Sequence, residues 1–222
     1  MIKDRRQAKP LIVYTYWRSS ASYRVRLALA LKGLAHELRP VHLVRNGGEQ
    51  HAPEYRSLNP QGLVPTLVHG ELVLSQSLAI IEYLDERFPA RPLLPAALGG
   101  RAQARAIAQL IACDIHPLNN LRVLSYLVEI GRFDEPARLA WYRHWTESGL
   151  AAVETLLGRE ERPFCCDEEP GLADCCLLPQ VYNARRFGCS LDGLDRIQAI
   201  CARLESRDKL QAARPENQPD AG

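Results

Sequence analysis

The chain predicts a small α/β domain followed by an all-helical one, and three observations carry that expectation. An apolar, β-branched and aromatic run, LIVYTYW, passes directly into a helix-like run. Two short strands around a tight turn, and then a helix, follow before residue 88. Beyond a Pro- and Gly-rich stretch at 89–100, no hairpin signal returns.

Residues 1–10, MIKDRRQAKP, are basic but lack the apolar centre of a secretion signal, so they read as a disordered leader. LIVYTYW (11–17) reads as a buried strand. Ala21, Val25, Ala28 and Leu29 then recur at helical spacing up to Lys32, with Gly33 as the stop. HELRPVHLV (36–44) follows as a second strand, in which Pro40 suits an edge or a kink. After a polar connection with Gly47 and Gly48, VPTLVHG and ELVLSQ form a hairpin turning at His69, Gly70 and Glu71. SLAIIEYLDERF (77–88) is a helix whose Leu78, Ile81, Leu84 and Phe88 share one face. These elements make a domain over 11–88, and 89–100 is the linker. From 101 to 222 the pattern is helical throughout: ARAIAQLIACDIHPLNNLRVLSYLVEI, LAWYRHWTESGLAAVETLL, LADCCLLPQVYNARRF and LDRIQAICARL.

Composition removes several classes of function. The 222 residues are 46% hydrophobic and 24% charged with net charge +2, an ordinary globular balance. Residues 1–88 hold 12 Lys and Arg against 8 Asp and Glu, and 89–222 hold 16 against 18, too even for a nucleic-acid module. No apolar run approaches the roughly 18 to 20 residues of a membrane helix, and the chain is expected in the cytoplasm. The seven cysteines therefore default to free thiols, and the adjacent pairs Cys165-Cys166 and Cys175-Cys176 lack the spacing of a tetrahedral zinc site.

Candidate functional residues gather where strands give way to helices. In YWRSSASYRVRLAL, Ser19 and Ser20 end a strand and open a helix; they can cap it, or face an anion together with the exposed N–H groups. Gln76 and Ser77 open the helix after the hairpin, where an amide, a hydroxyl and helix N–H groups suit a carboxylate. His116 and Asn120, four apart, would share a helical face, although Pro117 can kink it. A lone helical His is more often structural, so these two are candidates only.

The order YWRSSASYRVRLAL, LNPQGLVPTL, LSQSLAIIEYL, IHPLNN and LADCCLLPQVYNARRF resembles the zeta-class glutathione transferases, and within them the maleylacetoacetate isomerases, over nearly the whole chain. The resemblance implies a thioredoxin-like N-terminal domain, a helical glutathione-transferase C-terminal domain, glutathione as cofactor and a homodimer. It implies that Ser19 donates to the glutathione thiolate with Ser20 beside it, and that Val64-Pro65 is a cis bond leaving the Val64 backbone free for the peptide part of glutathione. It further implies that Gln76 and Ser77 take the γ-glutamyl carboxylate, while Arg18 and Arg186, with His116 and Asn120 as further candidates, face a small dicarboxylate substrate. Arg185, one position off, is expected on a solvated face.

The activity implied is cis–trans isomerisation of maleylacetoacetate in aromatic amino-acid breakdown. Maleylpyruvate isomerisation or conjugation of small electrophiles is the nearest rival, and a non-catalytic binding module of the same fold is the rival from another class. Two residues depart from the usual pattern: Ala21 replaces a cysteine after the serines, and Gly171 replaces a threonine that caps the helix beginning Leu-Ala-Asp. Asp174 is still placed to reach back, as in a capping box.

Overall fold

The computed structural model describes residues 9–221, so the expected leader lies almost wholly outside the described residues. The first half runs β1 (Leu11–Thr15), α1 (Ser20–Lys32), β2 (His36–Pro40), α2 (Pro53–Leu58), β3 (Thr66–His69), β4 (Leu72–Ser75) and α3 (Ser77–Arg87). The sheet order is β2-β1-β3-β4, with β2 parallel to β1 and the other pairs antiparallel, a thioredoxin-like arrangement.

Pro40 lies opposite Thr15 on the edge strand β2, where its missing N–H costs little. The strand expected to reach residue 44 stops there, because the chain turns onto its own side chains. The His42 N–H donates to Glu49 Oε2 at 2.7 Å, and the Val44 and Arg45 N–H groups donate to His42 Nδ1 at 3.2 and 2.8 Å. The sequence reading missed α2, whose six residues with Pro53 at the start are too few to display a helical period.

The second half is helical: α4 (Leu98–Gln109), a π-helical segment (Leu110–Ile115), α5 (His116–Leu118), α6 (Leu121–Glu129), α7 (Glu135–Leu157), α8 (Leu172–Arg186), α9 (Asp195–Glu205) and α10 (Asp208–Gln211). None of these helices is long and apolar enough to cross a membrane. The helix expected to carry both His116 and Asn120 on one face is divided. Buried Asn119 turns inward to donate to Thr146 Oγ1 at 2.9 Å, and Asn120 is extended (ψ 147°) and caps α6 by accepting from the Arg122 N–H. His116 and Asn120 consequently do not share a helical face.

One apolar core runs through both halves, joining Val25, Leu29, Ile80 and Leu84 to Ile107, Leu177 and Val181 as α1 packs against α8. Side chains of this kind contribute roughly 1.5 to 3 kcal/mol each when fully buried. Six of the seven cysteines are buried and Cys113 is exposed. Burial pushes the Cys176 thiol to about 11 and the Cys201 thiol to about 12, so both stay protonated and inert.

Gly171, before α8, has a structural reason. Its N–H donates to Asp174 Oδ2 at 2.8 Å, while a Cβ added there would meet the Leu93 carbonyl oxygen at 2.3 Å. The close approach accompanies a bond from the Leu172 N–H to that same carbonyl at 2.8 Å. Restoring the family's usual residue with Gly171→Thr is therefore expected to destabilise the fold by about 1 to 3 kcal/mol through overpacking, more than a hydroxyl cap returns. Urea unfolding checks this, and a gain in stability would contradict it.

Candidate active site

Sheet register assembles the site. Tyr14 lies opposite Thr66, and Thr66 opposite Ser75. The exit of β1, the entry of β3 and the exit of β4 thus lie at one end of the sheet, with neighbouring strands about 4.8 Å apart. The segments attached to those ends, Arg18 to Ser20, Val64-Pro65 and Gln76-Ser77, are brought together by that register alone. His116 reaches the group from the helical half.

Ser19 is the N-cap of α1, its Oγ accepting from the Ser22 N–H at 3.2 Å. That bond uses an acceptor lone pair and leaves the hydroxyl proton for another partner. Ser19 is half-buried, at the positive end of a 13-residue helix. Ser20 differs: it is buried, and its Oγ pairs with His116 Nδ1 at 2.9 Å. Ser20 and His116 thus form a bridge from α1 to α5.

Burial, and after it the charges of Arg24 and Arg122, push the His116 imidazole down to about 3, so it stays neutral at physiological pH. An unfolded histidine titrates near 6.5, so the unfolded chain binds this proton first and stability is lost as pH falls from about 6.5 towards 3. His116→Gln is expected to flatten that acid limb by about one proton in urea titrations run across the window. An unchanged slope would show that the imidazole is not held neutral.

Val64-Pro65 is cis, as the resemblance implied. Flanking bonds pin the loop: Asn59 Nδ2 donates to Leu63 O at 2.7 Å, and Tyr55 Oη pairs with Thr66 Oγ1 at 2.9 Å. Among the described residues, the Val64 backbone N–H and C=O have no partner in the chain. Such unpaired groups suit the amide of a bound peptide.

Gln76 adopts φ 71°, unusual for a residue with a side chain, and α3 begins without a side-chain cap. Its amide Nε2 donates to Gln61 Oε1 at 2.8 Å, which brings in Gln61, a residue the sequence reading did not single out. Ser77 is buried, and its Oγ accepts from Arg24 Nη1 at 3.1 Å. The uncapped N–H groups, the Val64 backbone and the Ser19 proton form a set of polar groups that fits a short anionic peptide with a thiol.

Two cations complete the set of candidates, Arg18 just before the serines and Arg186 at the end of α8. Arg18 sits 4.5 Å over the Trp17 ring and donates to Tyr16 Oη at 3.4 Å. Arg186 sits 4.9 Å over the Phe187 ring; burial, and then the charge of Arg18, lower its pKa. Two guanidiniums thus sense one another, and among the described residues neither forms an ion pair. Arg185 instead pairs with Glu205 at 2.5 Å, on the exposed face. Asn120 remains a helix cap, and no contact ties it to the two arginines.

The sequence reading also missed the last described segment. Asp220 Oδ2 accepts from the Trp17 N–H at 3.0 Å, and Arg26 Nε donates to Ala213 O while its Nη2 donates to Trp17 O, both at 3.0 Å. Tyr182 Oη donates to Glu216 Oε1 at 2.7 Å. The C-terminal residues therefore hold the backbone just before Arg18, a contact across about 200 positions that no local pattern could reveal.

Known proteins resemble the chain along nearly its full length. The family model for the glutathione S-transferase N-terminal domain matches residues 13–92. A probable maleylacetoacetate isomerase of Vibrio cholerae is 51% identical over 95% of this chain and 98% of its own. Among solved structures, a holo maleylpyruvate isomerase, a bacterial glutathione transferase of the zeta class, superposes with TM-score 0.92 at 43% identity, covering 95% of this chain and all of that one. A maleylacetoacetate isomerase of Anaeromyxobacter dehalogenans, with dicarboxyethyl glutathione and citrate in its active site, superposes with TM-score 0.85 at 40% identity, covering 97% of this chain and 96% of that one. With its thioredoxin-like half, its helical half and these relatives along nearly its full length, the chain belongs to the zeta-class glutathione transferases.

Proposed function

We propose that the protein is a glutathione-dependent cis–trans isomerase acting on maleylacetoacetate to give fumarylacetoacetate in tyrosine and phenylalanine breakdown, as a cytoplasmic homodimer. The observation that carries this reading is the pairing of a thiol-ready helix terminus at Ser19 with two guanidiniums, Arg18 and Arg186, that have no carboxylate partner among the described residues. Conjugation to a neutral electrophile has no use for two neighbouring cations; a substrate with carboxylates does.

Bound glutathione would supply a nucleophilic sulfur that adds to the cis double bond, lets the resulting single bond rotate, and leaves again with the double bond restored as trans. The residues of the chain bind, orient and hold charge. Ser19 directs its hydroxyl proton, and α1 its N-terminal field, at the sulfur, favouring the anion of a group that otherwise titrates near 8.5. The Val64 backbone pairs with the peptide portion, and Gln76, Ser77 and the start of α3 receive a carboxylate. Arg18 and Arg186 hold the carboxylate ends of the second substrate while its middle turns. Ser20 and His116, joined to each other, set the angle between the two halves rather than touching the reacting atoms.

A second reading, maleylpyruvate as substrate, is supported by the close superposition on a maleylpyruvate isomerase. A panel of cis substrates tests both: the higher kcat/KM is expected for maleylacetoacetate. A preference for maleylpyruvate would select the second reading. Failure to isomerise either, with glutathione bound, would leave a binding module.

A further inference from the structure

Arg24, on α1 where that helix packs against α8, has 1% of its surface exposed. A buried guanidinium normally has a carboxylate partner, because an isolated buried charge is strongly unfavourable. Among the described residues Arg24 has none. Its single hydrogen bond runs from Nη1 to Ser77 Oγ at 3.1 Å, and Nε and Nη2 are buried without partners. The groups shown to keep their neutral form near it offer no counter-charge: His116 is neutral and itself disfavoured by Arg24, and burial keeps the Cys176 thiol protonated. The bond from Nη1 brings the guanidinium to Ser77, the first residue of α3, which begins without a side-chain cap.

A hydroxyl has one proton and two acceptor lone pairs, and a guanidinium can only donate. When Arg24 Nη1 donates to Ser77 Oγ, the Ser77 proton cannot point back at Arg24 and is left for another acceptor. We propose that Arg24 is a positioning residue for the carboxylate received at the start of α3: through Ser77 it orients the hydroxyl as a donor, and it places an otherwise unmatched positive charge behind the incoming anion. The inference rests on the reading of this site as the glutathione site, and the missing counter-ion of Arg24 is then the ligand's carboxylate.

Two ligands separate this role from packing. Glutathione carries the γ-glutamyl carboxylate; 4-aminobutyryl-Cys-Gly is the same molecule without it. Binding of each is measured calorimetrically to the wild-type protein, to Arg24→Met and to Arg24→Lys. Arg24→Met is expected to weaken glutathione by about 10-fold or more while leaving the analogue without the γ-glutamyl carboxylate within about twofold. KM for glutathione should rise similarly, with kcat at saturation within about threefold. Arg24→Lys keeps the charge but not the fork, so a loss of about threefold confined to glutathione is expected; this variant carries the test should the Met variant fail to fold. Equal weakening of both ligands, or of neither, would overturn the role of Arg24. A wild-type protein that bound the two ligands equally would instead overturn the assignment of the α3 terminus to that carboxylate.

Discussion

Ser19→Ala is expected to lower turnover by about 100-fold or more, the scale on which single donors to a developing or stabilised anion act. Its effect on stability should be near 1 kcal/mol, the contribution of a helix cap, because Ser19 Oγ accepts one N–H bond from Ser22. Ser19→Gly sharpens the comparison: glycine costs only a few tenths of a kcal/mol at a cap, so its loss of turnover is free of unfolding. In both variants the thiol of bound glutathione, followed by its ultraviolet thiolate absorbance against pH, should titrate higher than in the wild type. Ser20→Ala should do the reverse, leaving the thiol unchanged and weakening the joint with His116. Near-normal turnover in the Ser19 variants would transfer thiol activation to the helix terminus alone.

Arg186→Ala is expected to raise KM for the dicarboxylate by about 10- to 100-fold, matching the 1.5 to 3 kcal/mol of a charge-assisted bond, with glutathione affinity within about twofold. Arg18→Ala should behave alike. The two guanidiniums repel, and neither has a carboxylate partner among the described residues, so neither variant should lose stability beyond the stacking on Phe187 or Trp17. Calorimetry that found glutathione affinity collapsing in Arg186→Ala would contradict the division of the cleft into a peptide side and a dicarboxylate side.

The parts legible in the sequence were those with local causes. α1 announces itself through apolar spacing and Gly33, the hairpin through its turn at Gly70, and α3 through one apolar face. The serines at 19 and 20 were visible as a pair, but not the difference between them. Ser20 meets a histidine 96 positions away, which only tertiary packing decides. His116 and Asn120 looked like neighbours on a helix because period alone cannot register the turn forced at Asn119. The same limit hid Asp220 behind Trp17, Gln61 beside Gln76, and the carbonyl of Leu93 that makes a glycine necessary at 171.

The central claim is that the sulfur of glutathione is borrowed and returned. Purified protein is given maleylacetoacetate in large excess over glutathione, and fumarylacetoacetate and free thiol are measured together through the reaction. The account predicts many molecules of trans product per glutathione, with the thiol concentration unchanged at the end. Product that stops at one per glutathione with thiol disappearing in step would mark a conjugating transferase and contradict it.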